Sequence, residues 1–273
     1  MAETRGRATV SEEERRALVK TAHHLADLAR PVTLAHFRQP LDVDNKGAGA
    51  GFDPVTVADR AAEAAMRAHL DAARPDDAIL GEEYGAKAGT SGLTWVLDPI
   101  DGTRGYISGT PTWGVLVSVA DAEGPIFGII DQPYIGERFA GGFGSAETTG
   151  PLGTRALAVR SPRPLSEAIL LSTFPEIGSA EDYAGFRRVA DRVRLVRYGM
   201  DCYGYALLAA GQVDLVIEAG LQAYDVQAPI AVIEAAGGIV TDWTGRPAPQ
   251  GGRILAAANA ALHAEALALL AAG

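Results

Sequence analysis

The sequence predicts an α/β chain in two halves, an α+β half over residues 1–155 and an α/β half over 156–273. Three observations carry this. Ser11-Glu12-Glu13-Glu14 is a capping box in front of a run with apolar residues at helical spacing. Between Trp95 and Phe143, apolar runs of strand length follow one another across short turns. From about Leu165, strand and helix patterns alternate, which is the signature of an α/β layer. At 273 residues the chain is long enough to bury a substantial core.

Taken in order, Leu18, Ala22, Leu25 and Ala29 recur at helical spacing, so the first helix is long and amphipathic, and bends or stops near Pro31. His23, His24 and His36 lie in it or just after it. They form no metal-binding pattern and read as surface or packing residues. Leu41 to Phe52 alternates Gly47, Gly49 and Gly51 with alanine around Lys46 and reads as a mobile loop, without the Gly-Lys-Ser/Thr end of a phosphate-binding motif. Asp53-Pro54-Val55-Thr56-Val57-Ala58-Asp59 leads into an alanine-rich helix that ends by Pro75, with Thr56 as N-cap and Asp59 as a first-turn acid favoured by the helix dipole. Ala78 to Gly81 and Trp95 to Leu97 are strands, and Trp113 to Ala120 pairs with Pro125 to Asp131 as a hairpin. Glu137 to Phe143 and Arg155 to Arg160 continue the β-rich half. The boundary falls in the Gly- and Pro-rich stretch from Gly150 to Pro164. Strands then follow at 169–173, 193–197, 213–217, 238–241 and 253–257, and helices at 180–190, 202–210, 226–236 and 260–271.

A net charge of −10 and a pI near 5 argue against nucleic-acid backbone or anionic membranes as partners. The lone Cys202 excludes an intrachain disulfide framework and a cysteine-rich zinc site, as expected in a reducing cytoplasm. Met1 to Val10 has no apolar core of a secretory signal, and no run approaches a membrane span. A cytoplasmic location is the expectation.

The chemistry centres on Trp95-Val96-Leu97-Asp98-Pro99-Ile100-Asp101-Gly102-Thr103. Three apolar residues lead to two carboxylates spaced i, i+3, then to a glycine and a threonine. This reads as acids at the exposed tip of a strand beside an anion cradle, an arrangement that makes electrostatic sense only with a cation between the acids. Asp-Pro and Asp-Gly also form ordinary turns, and the motif alone leaves turn and site open. Glu82 at the end of the Ala78 strand and Asp225 at the start of a helix supply partners. Oxygen ligands without His or Cys point to Mg²⁺, with Mn²⁺ as an alternative, rather than zinc.

These residues resemble the inositol-monophosphatase-like family of Mg²⁺-dependent phosphatases over most of the chain, from Ser11 onward. Trp95 to Thr103 and Tyr224-Asp-Val-Gln-Ala-Pro-Ile-Ala-Val-Ile-Glu-Ala-Ala-Gly-Gly238 match its two signatures. Gly81-Glu82-Glu83 and Asp53 to Asp59 match two further motifs. The resemblance implies an αβαβα layered sandwich, usually a homodimer, acting on a small phosphorylated metabolite. It implies metal ligation by Glu82, Asp98, Asp101, Asp225 and the Ile100 carbonyl. It further implies phosphate binding by the N–H groups of Gly102 and Thr103, and a Thr103–Asp59 dyad that orients the attacking water. Lys46 aligns with a loop lysine only across a glycine-rich insertion.

Arg197 to Gly211 and Arg104 to Trp113 look most like the histidinol-phosphate phosphatases of histidine biosynthesis within that family. Arg197, Asp201 and Glu218 are then candidates for contact with the amino-imidazole arm of substrate. The alternative is that Asp201 caps the Cys202 helix and Glu218 is a solvated strand end. The rivals are an inositol or other sugar or nucleotide phosphatase of the same family, and a regulatory binding subunit with this fold. A haloacid-dehalogenase-type phosphatase needs acids at i, i+2, and a serine hydrolase needs a Gly-x-Ser-x-Gly absent here.

Overall fold

The structure, a computed structural model, describes residues 10–40, 43–45 and 54–272. The expectations for Lys46, for Asp53 and for most of the glycine-alternating loop fall outside the described residues, as does the stretch before Val10.

Helix α1 (Glu12–His36) starts as the sequence predicts, with the Ser11 hydroxyl accepting the Glu14 N–H at 3.1 Å. It does not stop at Pro31. Pro31 is exposed and inside the helix, and the buried stripe Leu18, Ala22, Leu25, Ala29 continues to Thr33 beyond it. Packing of that stripe outweighs the roughly 3 kcal/mol a helix loses to an internal proline. His23 is the packing residue expected, its ring against Phe127 and its Nδ1 3.3 Å from the Arg138 guanidinium.

A short ribbon of β1 (Val43–Asn45) and β2 (Pro54–Thr56) leads into α2 (Val57–Ala73). The first large sheet comprises β3 (Ala78–Gly81), β4 (Gly85–Lys87), β5 (Thr94–Asp101), β6 (Gly114–Asp121), β7 (Gly124–Gln132), β8 (Glu137–Gly142), β9 (Ser145–Gly150) and β10 (Gly153–Ala156), with a short helix α3 (Thr103–Ser108) after β5. Its order is β10-β9-β8-β7-β6-β5-β3-β4, antiparallel throughout except for the parallel pair β3–β5. The strand expected at 155–160 begins two residues earlier and ends at Ala156. It is an edge strand with all four residues exposed, so burial leaves no mark on its sequence.

The second half contains β11 (Ile169–Ser172), α4 (Ala180–Ala190), β12 (Leu195–Tyr198), α5 (Asp201–Ala209), β13 (Leu215–Leu221), α6 (Ala223–Ala235), β14 (Ile239–Thr241), β15 (Gly252–Ala257) and α7 (Ala260–Ala271). Its sheet runs β12-β11-β13-β15-β14. Helices α1 and α2 cover one face of the large sheet, α5 and α6 lie between the sheets, and α4 and α7 cover the outer face of the second. The αβαβα sandwich is therefore observed. Gly128 and Gly141 let α6 lie directly on the large sheet, since a Cβ on either would come within 2.6 Å of α6 backbone. This close seating brings the start of α6 to the end of β5. No described helix is long and apolar enough to cross a membrane.

Candidate active site

In a regular strand side chains alternate faces, so acids at i and i+3 point apart. Strand β5 avoids this with a bulge. Asp98 pairs with Leu116 and Asp101 with Gly114, so three steps on β5 oppose two on β6. Pro99 sits within the bulge, where its missing N–H costs no ladder bond. The Ile100 N–H turns to the Asp98 carboxylate at 3.0 Å. Carboxylate oxygens of Asp98, Asp101 and Asp225 consequently lie within 4.8 Å of one another. Glu82 adds a fourth acid, in hydrogen-bond contact with Asp98.

The acids do not stand at an exposed tip. Asp98 is buried inside the strand and Asp101 and Asp225 are half-buried, because β5 is flanked by strands on both sides and roofed by α6. Burial pushes the Asp98 carboxyl well above its ordinary range, followed by repulsion from Glu82, Asp101 and Asp225. Burial also raises Asp101, with Asp225 and Asp201 adding to it, against a 2.6 Å hydrogen bond from the Cys202 N–H. Acids so crowded ionise together only with a cation among them. A buried, all-oxygen donor set fits a hard divalent ion.

Gly102 follows in the left-handed conformation (φ 82°) and starts α3. A Cβ there would also meet the Asp201 Cγ at 2.7 Å, so glycine is required twice over. The Thr103 hydroxyl donates to the Ile100 carbonyl at 3.1 Å. An aromatic block of Phe37, Tyr106 and Trp113 supports α3 from below, and the Tyr106 hydroxyl donates to the Thr33 carbonyl at 2.6 Å. Asp59 is the buried partner of a capping box, accepting from the Thr56 N–H at 2.8 Å and the Thr56 hydroxyl at 2.5 Å.

The second half contributes three carboxylates. Asp225 is third in α6 and accepts the Gln222 N–H at 2.7 Å. Asp201 is not a cap: it is the first residue of α5, itself left-handed (φ 46°), while Met200 holds the cap position. Its carboxylate accepts from Thr112 at 3.2 Å and faces the Arg104 guanidinium, and burial raises it to about 6. Glu218 is not a solvated strand end either. It is buried within β13, accepts from the Thr173 N–H at 2.6 Å and its hydroxyl at 2.8 Å, and is raised by burial to about 7. Arg197 is exposed on edge strand β12, in register with Leu171, and the structure brings it to none of these acids.

Sequence reasoning missed three participants. Arg104 stacks over the exposed ring of Phe174, 4.9 Å from its centroid, and so ties α3 to the second half. The buried Tyr205 hydroxyl has no hydrogen-bond partner among the described residues, and Glu218, Asp101 and Asp225 all oppose its ionisation. Glu63 is wholly buried beneath the Glu82 turn. Only the i, i+4 spacing of Glu63 and Arg67 was visible beforehand, and that spacing reads as a surface pair.

Comparison with known proteins agrees with this geometry. The profile of the inositol monophosphatase family matches residues 14–272. The chain is 42% identical over 239 residues to the bifunctional phosphatase IMPL2 of Arabidopsis thaliana, covering 87% of this chain and 67% of that one. It is 38% identical to a histidinol-phosphatase of Streptomyces coelicolor, covering 92% and 96%. A solved inositol monophosphatase from Zymomonas mobilis superimposes with a TM-score of 0.83 at 38% identity, covering 96% and 99%. The chain belongs to the inositol monophosphatase family, a family of metal-dependent phosphatases.

Proposed function

We propose that this phosphatase hydrolyses histidinol phosphate to histidinol and phosphate, with Mg²⁺ as the metal. The relatives leave the substrate open, since identity to a named histidinol-phosphatase and to a named inositol monophosphatase is the same 38%. Side-chain chemistry favours the first of these. The observation that carries the reading is that buried acid continues past the Asp98–Asp101–Asp225 cluster, through Asp201 beside Asp101 to Glu218. Inositol phosphate offers hydroxyl groups, whereas histidinol phosphate carries an ammonium that buried carboxylates would pair.

In this reading Glu82, Asp98, Asp101, Asp225 and the Ile100 carbonyl hold the metal. Bound Mg²⁺ would supply Lewis-acid stabilisation of the phosphoryl oxygens and lower the pKa of water. Gly102 and Thr103 present backbone N–H groups to phosphate, and Thr103 with Asp59 orients the attacking water. Asp201 and Glu218 take the ammonium, and Arg197 remains a candidate contact for the substrate's far end.

Initial rates on histidinol phosphate, inositol 1-phosphate, fructose bisphosphate and adenosine bisphosphate, each with Mg²⁺ and with EDTA, test this. Histidinol phosphate should give the highest kcat/KM, and EDTA should abolish turnover. Preference for inositol phosphate refutes the substrate, and full turnover in EDTA refutes the metal. A charge-assisted hydrogen bond contributes about 1.5–3 kcal/mol, or some ten- to hundredfold in binding. Asp201→Asn and Glu218→Gln should therefore raise KM for histidinol phosphate by about that factor and barely change hydrolysis of p-nitrophenyl phosphate. Equal losses on both substrates would move these residues to the phosphate or metal.

A further inference from the structure

The hairpin between β3 and β4 turns in three residues, Glu82, Glu83 and Tyr84, before Gly85 in the left-handed conformation (φ 67°). Such a turn leaves several backbone groups unpaired by its own ladder. Here they are met by a side chain from another element. The Glu63 carboxylate, wholly buried on α2, accepts the Glu83 N–H at 2.7 Å and the Tyr84 N–H at 3.2 Å. Arg67, one helical turn on, donates its Nε to Glu63 at 2.7 Å and its Nη2 to the Gly85 carbonyl. Gly81 makes room for the pair. A Cβ at that position would stand 2.0 Å from the Glu63 Oε1 and 2.8 Å from the Arg67 Nη2.

We infer that Glu63 and Arg67 are a positioning pair that fixes Glu82 for metal binding. Glu82 is held on both sides. Its own N–H bonds the Leu97 carbonyl at 3.2 Å, continuing the β3–β5 pairing, and the next two N–H groups are clamped by Glu63. With its backbone so fixed, the Glu82 carboxylate is delivered to Asp98. A buried Glu–Arg pair does not stabilise a fold by much on its own account, because desolvation offsets most of the attraction. Its use here is to hold a three-residue turn in one geometry. The helix that carries Asp59 at its first turn thereby also sets a carboxylate of the cluster, two functions on one face of α2.

The inference rests on the reading of Glu82 as a metal ligand, and the experiment separates the two. Mn²⁺ affinity of the full chain is measured by the EPR signal of free Mn²⁺, with p-nitrophenyl phosphate kinetics alongside. Glu63→Gln keeps the shape but turns an N–H₂ toward a backbone N–H and removes the carboxylate that pairs the Arg67 charge. Loss of a group that orients a ligand typically costs ten- to hundredfold in metal affinity, and about tenfold weaker Mn²⁺ binding is expected. Turnover should recover to within about threefold of the wild type once Mn²⁺ saturates, since the ligands themselves remain. Arg67→Lys keeps the charge but loses the fork, and should weaken Mn²⁺ binding about threefold. Asp214→Asn removes an equally buried carboxylate from Arg160 and Arg163 in the other half and is the control. Unchanged Mn²⁺ affinity in folded Glu63→Gln overturns the inference; if that variant does not fold, unchanged affinity in Arg67→Lys does so. An equal loss in Asp214→Asn also overturns it, because the effect would then be general destabilisation. If Glu82→Gln binds Mn²⁺ like the wild type, the ligand reading itself fails.

Discussion

The two walls of the site are built in opposite ways. The first-half wall runs from Asp98 to Thr103, one bulged strand end and one turn, and its geometry comes from its own backbone: Pro99 in the bulge, the Asp98–Ile100 hydrogen bond, Gly102 in the left-handed region. The second-half wall takes Asp201 from α5, Glu218 from β13 and Asp225 from α6. Each is held by a different donor, respectively the Thr112 hydroxyl, the Thr173 N–H and hydroxyl, and the Gln222 N–H. A wall made from one short segment cannot vary a single residue without disturbing its neighbours. A wall assembled from three elements can change one carboxylate and keep the others. On the proposed function, the first arrangement suits chemistry common to a family, and in the second Asp225 completes the metal cluster while Asp201 and Glu218 are left to select among substrates.

The largest expected effect lies on the first wall. Asp101→Asn removes a charge from the proposed metal cluster, yet its amide oxygen can still accept the Cys202 N–H that spans the halves at 2.6 Å. Turnover should fall about a thousandfold, the equivalent of some 4 kcal/mol of transition-state stabilisation. The loss should be the same on histidinol phosphate and p-nitrophenyl phosphate, with an unchanged far-UV circular dichroism spectrum. A loss confined to histidinol phosphate would erase the division between the walls.

On the second wall the signature is pH. Burial raises Glu218 from its ordinary 4.5 to about 7. The folded chain thus binds this proton more tightly than the unfolded chain does. Its contribution to stability is complete below pH 4.5 and is lost as pH rises to about 7. The shift corresponds to about 3 kcal/mol. Thermal melts in EDTA should show wild-type stability falling through that window relative to Glu218→Gln, which has no proton to lose. Parallel curves for the two proteins would place Glu218 in solvent and leave the second wall without its buried acid.

The same contrast decides how much was legible in sequence. Asp98, Asp101 and their glycine lie within five residues, so the motif announces itself, as do helices with side-chain caps such as those at Ser11 and Thr56. What the motif could not convey was burial: nothing local says that α6 roofs β5, and the acids read as exposed. Edge strand β4 and its counterpart near the other end, β9, escaped, and edge strand β10 was displaced, because partly exposed strands carry no strict alternation. The helix does not stop at Pro31, because tertiary packing outweighs a local rule. Glu63 and Tyr205 were invisible for a related reason, since a polar residue on a helix looks the same in sequence whether it faces water or a turn from another element.

The smallest effect tests the seam where the walls touch. Gly102→Ala places a Cβ at φ 82° and 2.7 Å from the Asp201 Cγ, 2.8 Å from its Cβ. The left-handed conformation alone costs a non-glycine residue about 1–2 kcal/mol. The clash adds to this only while Asp201 keeps its side chain. Asp201 is itself left-handed (φ 46°), so Asp201→Gly removes both clashing atoms and relaxes its own backbone. Contacting sites couple by about 0.5–3 kcal/mol in a double-mutant cycle, and the Gly102→Ala penalty should shrink toward its conformational part when Asp201 is glycine. Denaturant midpoints of the wild type, both single variants and the double variant measure that coupling. Strict additivity would mean that the first wall keeps its turn without reference to the second. Coupling of the expected sign would mean that Asp201 is packed against the Gly102 turn, so that on the proposed function selectivity and chemistry meet at one glycine.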